Sequence, residues 1–269
     1  MPRLTLAALA LAAWTVPGAA DEATPGQLAQ LPPAELLVLG EVHDNPRHHE
    51  TQARIVAQVA PAALVFEMLT PAQAARVTPE LMADETALRD VLGWDQSGWP
   101  DFTMYYPIFA AAPEAAFYGA AVPREDLRGI VAGDDPLPED AARFGLDRPL
   151  PDDQQRVREA MQMAAHCDAL PEELLPGMVR AQRVRDAALA RAALAALEDT
   201  GGPVVVITGN GHARTDWGVP SKIARAAPGV AVLSLGQLEA APAEGEAPYD
   251  LWVVTEPVDR PDPCEAFAE

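Results

Sequence analysis

Lysine is almost missing from this chain. Lys222 is the only one among 269 residues, and 19 basic residues face 40 acidic ones, for a formal net charge of −21. A surface of that sign repels phosphate backbones and anionic membrane faces, so no nucleic acid is expected among its partners. An anionic ligand would have to be held by a local group of arginines working against the overall field. Cysteine is scarce too, with only Cys167 and Cys264. There is no Cys-X2-Cys pair, no His-Glu-X2-His, no Gly-X-Ser-X-Gly elbow and no Gly-X4-Gly-Lys-Ser/Thr loop, which argues against standard zinc proteases, serine hydrolases and nucleotide enzymes. Beyond the amino-terminal segment no apolar run approaches the roughly 20 residues that span a bilayer.

The amino terminus has the layout of a secretory signal. Arg3 supplies a positive charge, Leu4 to Val16 is a weakly apolar stretch, and Gly18-Ala19-Ala20 gives small residues before Asp21. Cleavage near Ala20 is expected, with a periplasmic or secreted location for residues 21–269 as a single domain. Cleavage leaves 18 basic against 40 acidic residues, since Arg3 is the only charged residue removed. In an oxidising compartment an even pair of cysteines favours one disulfide, which would pin the tail to a helical region. The alternative makes Cys167 a thiolate ligand beside His166.

Short apolar runs bounded by Gly, Pro or Asp predict strands at 36–39, 62–66, 116–121, 203–208, 230–235 and 250–254. Helical patterns lie between them. Asp44-Asn45-Pro46 supplies a cap and a first-turn proline, followed by an inward stripe of Ile55, Val56 and Val59. The fold class is therefore α/β, a central mostly parallel or mixed sheet flanked by helices. Helical insertions near 71–112 and 136–197 form a smaller cap. The longest helix is expected from about Glu172 to Glu198, with Pro176 kinking or restarting it. The stretch 239–248 reads as an exposed loop.

Two strands end in histidine-bearing turns. Leu36 to Leu39 leads into Gly40-Glu41-Val42-His43, and Val204 to Ile207 into Gly209-Asn210-Gly211-His212; a third run, Ala63 to Phe66, ends in Glu67. Strands buried on both faces bring these groups to the sheet's carboxyl edge, where open α/β sheets bind ligands. Glu41 and His43 are two positions apart and project to one side, so together they suit an ion or a general base. Glu67, in apolar company, requires a metal, an arginine or a histidine as partner. His48 and His49 occupy a first helical turn that keeps an imidazole neutral, and only one of them is expected to face the sheet edge. Arg214 adds a cation near His212. On the long helix, Gln182 and Asp186 interrupt an apolar stripe, Arg185 is placed to meet Glu67 or an anionic ligand group, and Arg180 and Arg183 are expected to face solvent. Trp94, Trp99, Phe102, Tyr105, Tyr106 and Phe109 form either core or the wall of a flat apolar cofactor, and a tyrosine oxygen is an iron ligand in some haem proteins.

Taken together, Leu-Gly-Glu41-Val-His43-Asp-Asn-Pro with His48-His49, Phe-Glu67-Met, Ala-Val-Pro-Arg124, Ala-Gln182-X2-Arg185-Asp186 and Gly-Asn-Gly-His212 resemble the ChaN-like family across most of residues 36–225. The resemblance implies a central sheet with flanking helices, haem binding and a place in haem or iron uptake. The wider superfamily, with Tiki, TraB-like and erythromycin-esterase proteins, shares Gly-Glu-X-His and Gly-X-X-His. In Tiki-like relatives such residues are associated with metal-dependent hydrolysis. Lipoprotein relatives carry a cysteine after the signal that this chain lacks.

Two functions follow as expectations. The first is a haem-binding protein of haem or iron acquisition, its cofactor held by residues drawn from His43, His48, His49, Tyr105, Tyr106, Arg185, His212 and Arg214. Haem uptake machinery and a second copy of the chain are its candidate partners. The second is a metal-dependent hydrolase in which Glu41, His43, Glu67 and His212 hold manganese or zinc.

Overall fold

The computed structural model describes residues 21–243, 247–262 and 264–265. The expected signal segment, residues 1–20, and part of the expected loop at 239–248 lie outside them. Seven strands form one sheet: β1 (Asp21–Glu22), β2 (Leu36–Glu41), β3 (Ala63–Phe66), β4 (Ala116–Gly119), β5 (Val204–Gly209), β6 (Val232–Leu238) and β7 (Leu251–Val254), in the order β1-β7-β6-β2-β5-β3-β4. Every pairing is parallel. The expected runs are all strands with ends moved by a few residues. The two-residue edge strand β1, which has no apolar run, was not legible in the sequence.

The helices are α1 (Pro25–Leu28), α2 (Pro46–Val59), α3 (Pro71–Ala74), α4 (Pro79–Met82), α5 (Glu85–Leu92), α6 (Phe102–Ala110), α7 (Arg124–Ala132), α8 (Asp152–Ala165), α9 (Leu175–Thr200), α10 (Asn210–Ala213) and α11 (Val219–Ala226). Period-two alternation sends Leu37, Leu39, Leu64, Phe66, Val205 and Ile207 into a core with Ile55 and Val56 of α2, Leu88 of α5 and the aromatic residues of α6. Leu36, Val38, Ala63, Val65, Val204 and Val206 enter a second core with α7, α9 and α11 on the opposite face. Both faces are covered, which is why the strands read as unbroken apolar runs rather than alternating ones.

Pro176 restarts the long helix rather than kinking it. It occupies the first turn of α9, after a 3-10 turn at Glu172–Leu174, where its missing N–H costs no hydrogen bond. From β2 the chain moves through α2 to β3 and β4, then returns through α9 to β5 and onward to β6 on the far side of β2. The direction reverses around β2 and β5, leaving a crevice beyond their carboxyl ends. Cys167 and Cys264 form a disulfide that ties the tail to the residues following α8. Among the described residues no helix is long and apolar enough to cross a membrane.

Candidate functional site

The turn after β2 is fixed by Asn45, whose side chain accepts from Arg47 N as Pro46 opens α2. This places both following histidines in buried positions. His48 Nδ1 accepts the Val42 N–H at 2.9 Å, so Nε2 carries the proton and donates to Thr255 Oγ1 at 2.8 Å. Burial pulls its pKa down to about 4, the charge of Glu239 only partly offsetting it. His49 donates from Nε2 to the His43 carbonyl at 2.8 Å and packs its ring against Tyr105. The sequence predicted that only one of the two would face the sheet edge; neither lines the cavity there. Both are inward because the carboxy-terminal tail, through Thr255, Glu256 and Arg260, covers the His48 side of the α2 entry.

Glu41 ends β2 with its carboxylate buried toward α2 and α6. It accepts from Tyr105 Oη, Gln52 Nε2 and His43 Nδ1, each at 2.8 Å. These bonds anchor His43 through one nitrogen and leave Nε2 open. The His43 side chain is 35% exposed, and its ring meets Trp99 in an edge-type contact with ring centres 4.9 Å apart. Close beneath it runs the backbone of Gly209, where a Cβ would come within 2.9 Å of His43 Nε2, so glycine is what lets the imidazole settle there. Burial disfavours a proton on His43, but the bond to Glu41 and the charge of Glu67 outweigh it and raise its pKa.

Glu67, just past β3, accepts from Thr208 Oγ1 at 2.6 Å and from Gly209 N at 2.8 Å. Its other oxygen is 3.4 Å from His212 Nε2, while His212 Nδ1 is 2.6 Å from Asp186 Oδ1 on α9. Burial opposes charge on His212, yet the charge of Glu67 and the bonds to Asp186 and Glu67 raise its pKa to about 10. Burial likewise opposes ionisation of Glu67, and the His212 charge overcomes it, holding the carboxyl far below the usual range. The two carboxylate neighbours thus favour the charged form of His212, whose Nε2 also lies 3.0 Å from the Gln182 side-chain amide. The expected histidine partner of Glu67 is present. Asp186, the polar break in the α9 stripe, is the group that completes it. Thr208 gave no signal in the sequence, since a threonine at a strand end is ordinary.

These groups border a cavity of about 980 Å³, at the upper end of the size range for small-molecule sites. Glu41, His43, Glu67, Arg185 and His212 line it, with Arg124 and Trp99 on its walls. Arg185 is half-buried and, among the described residues, forms no hydrogen bond or ion pair; burial lowers its pKa and the Glu67 charge counters this. His48, His49, Tyr105 and Tyr106 stand behind the site instead. Tyr105 is fully buried on Glu41, and Tyr106 donates to the Met82 carbonyl at 2.9 Å. Of the aromatic cluster, Trp94, Phe102 and Phe109 are core. Arg214 is held by Asp216 and lies 3.8 Å from the Trp217 ring, away from the cavity lining. Arg183, expected to face solvent, is buried. Among the described residues no three His, Cys, Asp or Glu side chains gather in a metal-holding group. Glu41 spends its oxygens on α2 and α6, and both nitrogens of His212 face carboxylates, so the expected set of Glu41, His43, Glu67 and His212 does not close around one point.

A family described as haem-binding uptake, Tiki superfamily, ChaN matches residues 27–223. Among solved structures, the chain is similar to one described as cofacial heme binding to ChaN of Campylobacter jejuni. That likeness has a TM-score of 0.65 and 18% identity over 84% of this chain and 89% of the other, and it shows the shared fold. A weaker likeness, with a TM-score of 0.41 and 15% identity over 82% of this chain and 88% of the other, is to the type III effector HopBA1. No curated protein matches by sequence.

Proposed function

The chain belongs to the ChaN haem-binding uptake family of the Tiki superfamily, and on that premise we propose that it binds haem in the cavity at the carboxyl edge of β2, β3 and β5. The observation that carries this reading is the pairing of an open imidazole nitrogen with an unpartnered guanidinium on one cavity. His43, on the cavity lining, has Nδ1 fixed on a buried carboxylate and Nε2 without a hydrogen-bond partner among the described residues, the arrangement that orients a histidine for iron. Arg185 offers a cation to a propionate, with Arg124 nearby on the wall. Haem supplies the iron and the flat apolar surface; the chain's residues orient the imidazole, hold the propionates and exclude water with Trp99.

In this reading the chain is exported, residues 1–20 are removed, and haem passes onward to uptake machinery. The cysteine pair supports an oxidising destination. Two copies meeting around stacked haems would extend to this chain the cofacial arrangement described for the C. jejuni protein.

Titration of the mature protein with haemin tests the assignment. A saturable Soret shift is expected, lost or strongly weakened in His43→Ala, weakened in Arg185→Met, and retained in His166→Ala, which alters a histidine remote from the cavity. Binding that survives His43→Ala unchanged would remove His43 as the ligand. Stoichiometric manganese or zinc with no Soret shift would favour the hydrolase instead.

A further inference from the structure

On the far side of Asp186 from the cavity, three cations are buried together with too few acids to match them. Arg158 of α8 is only 4% exposed, and neither Nη1 nor Nη2 has a hydrogen-bond partner. Its nearest carboxylate oxygen, Asp186 Oδ2, is 3.7 Å away and itself unpartnered. Arg183 of α9 donates from Nη2 to the carbonyls of Gly145 and Arg148, leaving Nε without a partner. Lys222 of α11, the single lysine of the chain, is 8% exposed and forms no hydrogen bond among the described residues. Burial drives its pKa down to about 8, Asp186 opposing the fall and the charges of Arg183 and Arg158 adding to it.

One carboxylate oxygen faces the cluster, Asp186 Oδ2, in a long ion pair with Arg158 at 3.7 Å; the other acid groups nearby are held elsewhere. Asp186 holds His212 through Oδ1, and Asp216, which also acts on Arg158, is bound by Arg214. Asp147 acts on Arg183 alone among the three. Buried guanidinium groups without partners cost several kcal/mol, and in native structures such groups are met by water or an ion. A chain with net charge −21 has no general reason to bury three cations in one place.

We propose that Arg158, Arg183 and Lys222 form a binding site for a small inorganic anion, seated behind Asp186. Arg183 reaches the edge of a second cavity of about 470 Å³, while Arg158 and Lys222 line neither that cavity nor the 980 Å³ one and are almost fully covered by protein, which leaves room for a small ion only. The guanidinium carbon of Arg158 also lies 5.5 Å from the centre of the Trp217 ring, a ring it shares with Arg214 at 3.8 Å. The site rests on these contacts and is independent of haem binding.

Crystals of the mature chain soaked in sodium bromide provide the direct test. An anomalous peak touching Arg158 and Lys222 is expected. Melting temperature should rise saturably as chloride replaces gluconate at constant ionic strength. Lys222→Met should need about tenfold more chloride for the same rise, as should Arg158→Met; Lys222→Met decides if Arg158→Met does not fold. Water alone in the cluster, with equal melting in chloride and gluconate, overturns the proposal.

Discussion

At the scale of single residues, the cavity divides its two histidines by the charge of their neighbours. His43 meets one carboxylate through one nitrogen and keeps the other free. His212 meets carboxylates on both sides, and their charge raises its pKa. In the proposed function the first is the residue offered to iron; the second fixes Glu67 and Asp186 and so ties β3, α9 and α10 together. Gly209 sets how deeply His43 sits. In Gly209→Ala the new methyl would meet His43 Nε2 and push the ring outward. Because the clash falls on the far end of a side chain, folding should survive with little change in melting temperature. Haemin titration should show affinity reduced by about tenfold, the scale seen when a metal ligand's orientation is disturbed. Unchanged affinity would mean that Nε2 is not the contact.

At the scale of elements, the start of α2 is the crowded place. One capped turn carries His48 and His49, and the tail crosses over it through Asn45, Thr255 and Arg260. A neutral buried His48 makes this junction sensitive to acid. Its pKa is near 6.5 in the unfolded chain and about 4 when folded, so between those values the unfolded state binds the extra proton. The contribution is present above pH 6.5 and is lost as pH falls toward 4, by up to about 3 kcal/mol. Urea unfolding at a series of pH values should record that decline. His48→Gln, which keeps a polar group but does not titrate, should flatten it; an identical slope in the variant would assign the acid sensitivity elsewhere.

At the scale of the whole molecule, the disulfide closes the largest loop. Cys167 and Cys264 are 97 residues apart, and the closed segment contains β5, β6, β7 and the tail that covers α2. Restricting an unfolded chain over that length is worth about 2–5 kcal/mol. Cys264→Ser should therefore lower the urea midpoint by a corresponding amount. The largest rise in amide exchange should fall at residues 42–49, the segment that Thr255, Glu256 and Arg260 hold down. Exchange rising instead only around β3 and β4 would show that the tail does not brace the α2 entry.

The sequence by itself determined the α/β class, six of the seven strands among the described residues and the meeting of Glu41, His43, Glu67 and His212 at one edge. Each of these is a local matter, since an apolar run bounded by turn residues forms a strand, and parallel strands bring their carboxyl ends together. Only the tertiary structure decided which groups remained free. Whether a histidine keeps a lone pair depends on partners supplied by remote segments: Asp186 for His212, Thr255 for His48, and Tyr105 and Gln52 acting through Glu41 for His43. The same holds for the buried Arg183 and the core position of Tyr105. Helical spacing assigns a residue to a face, but what covers that face is set by packing between elements distant in the chain.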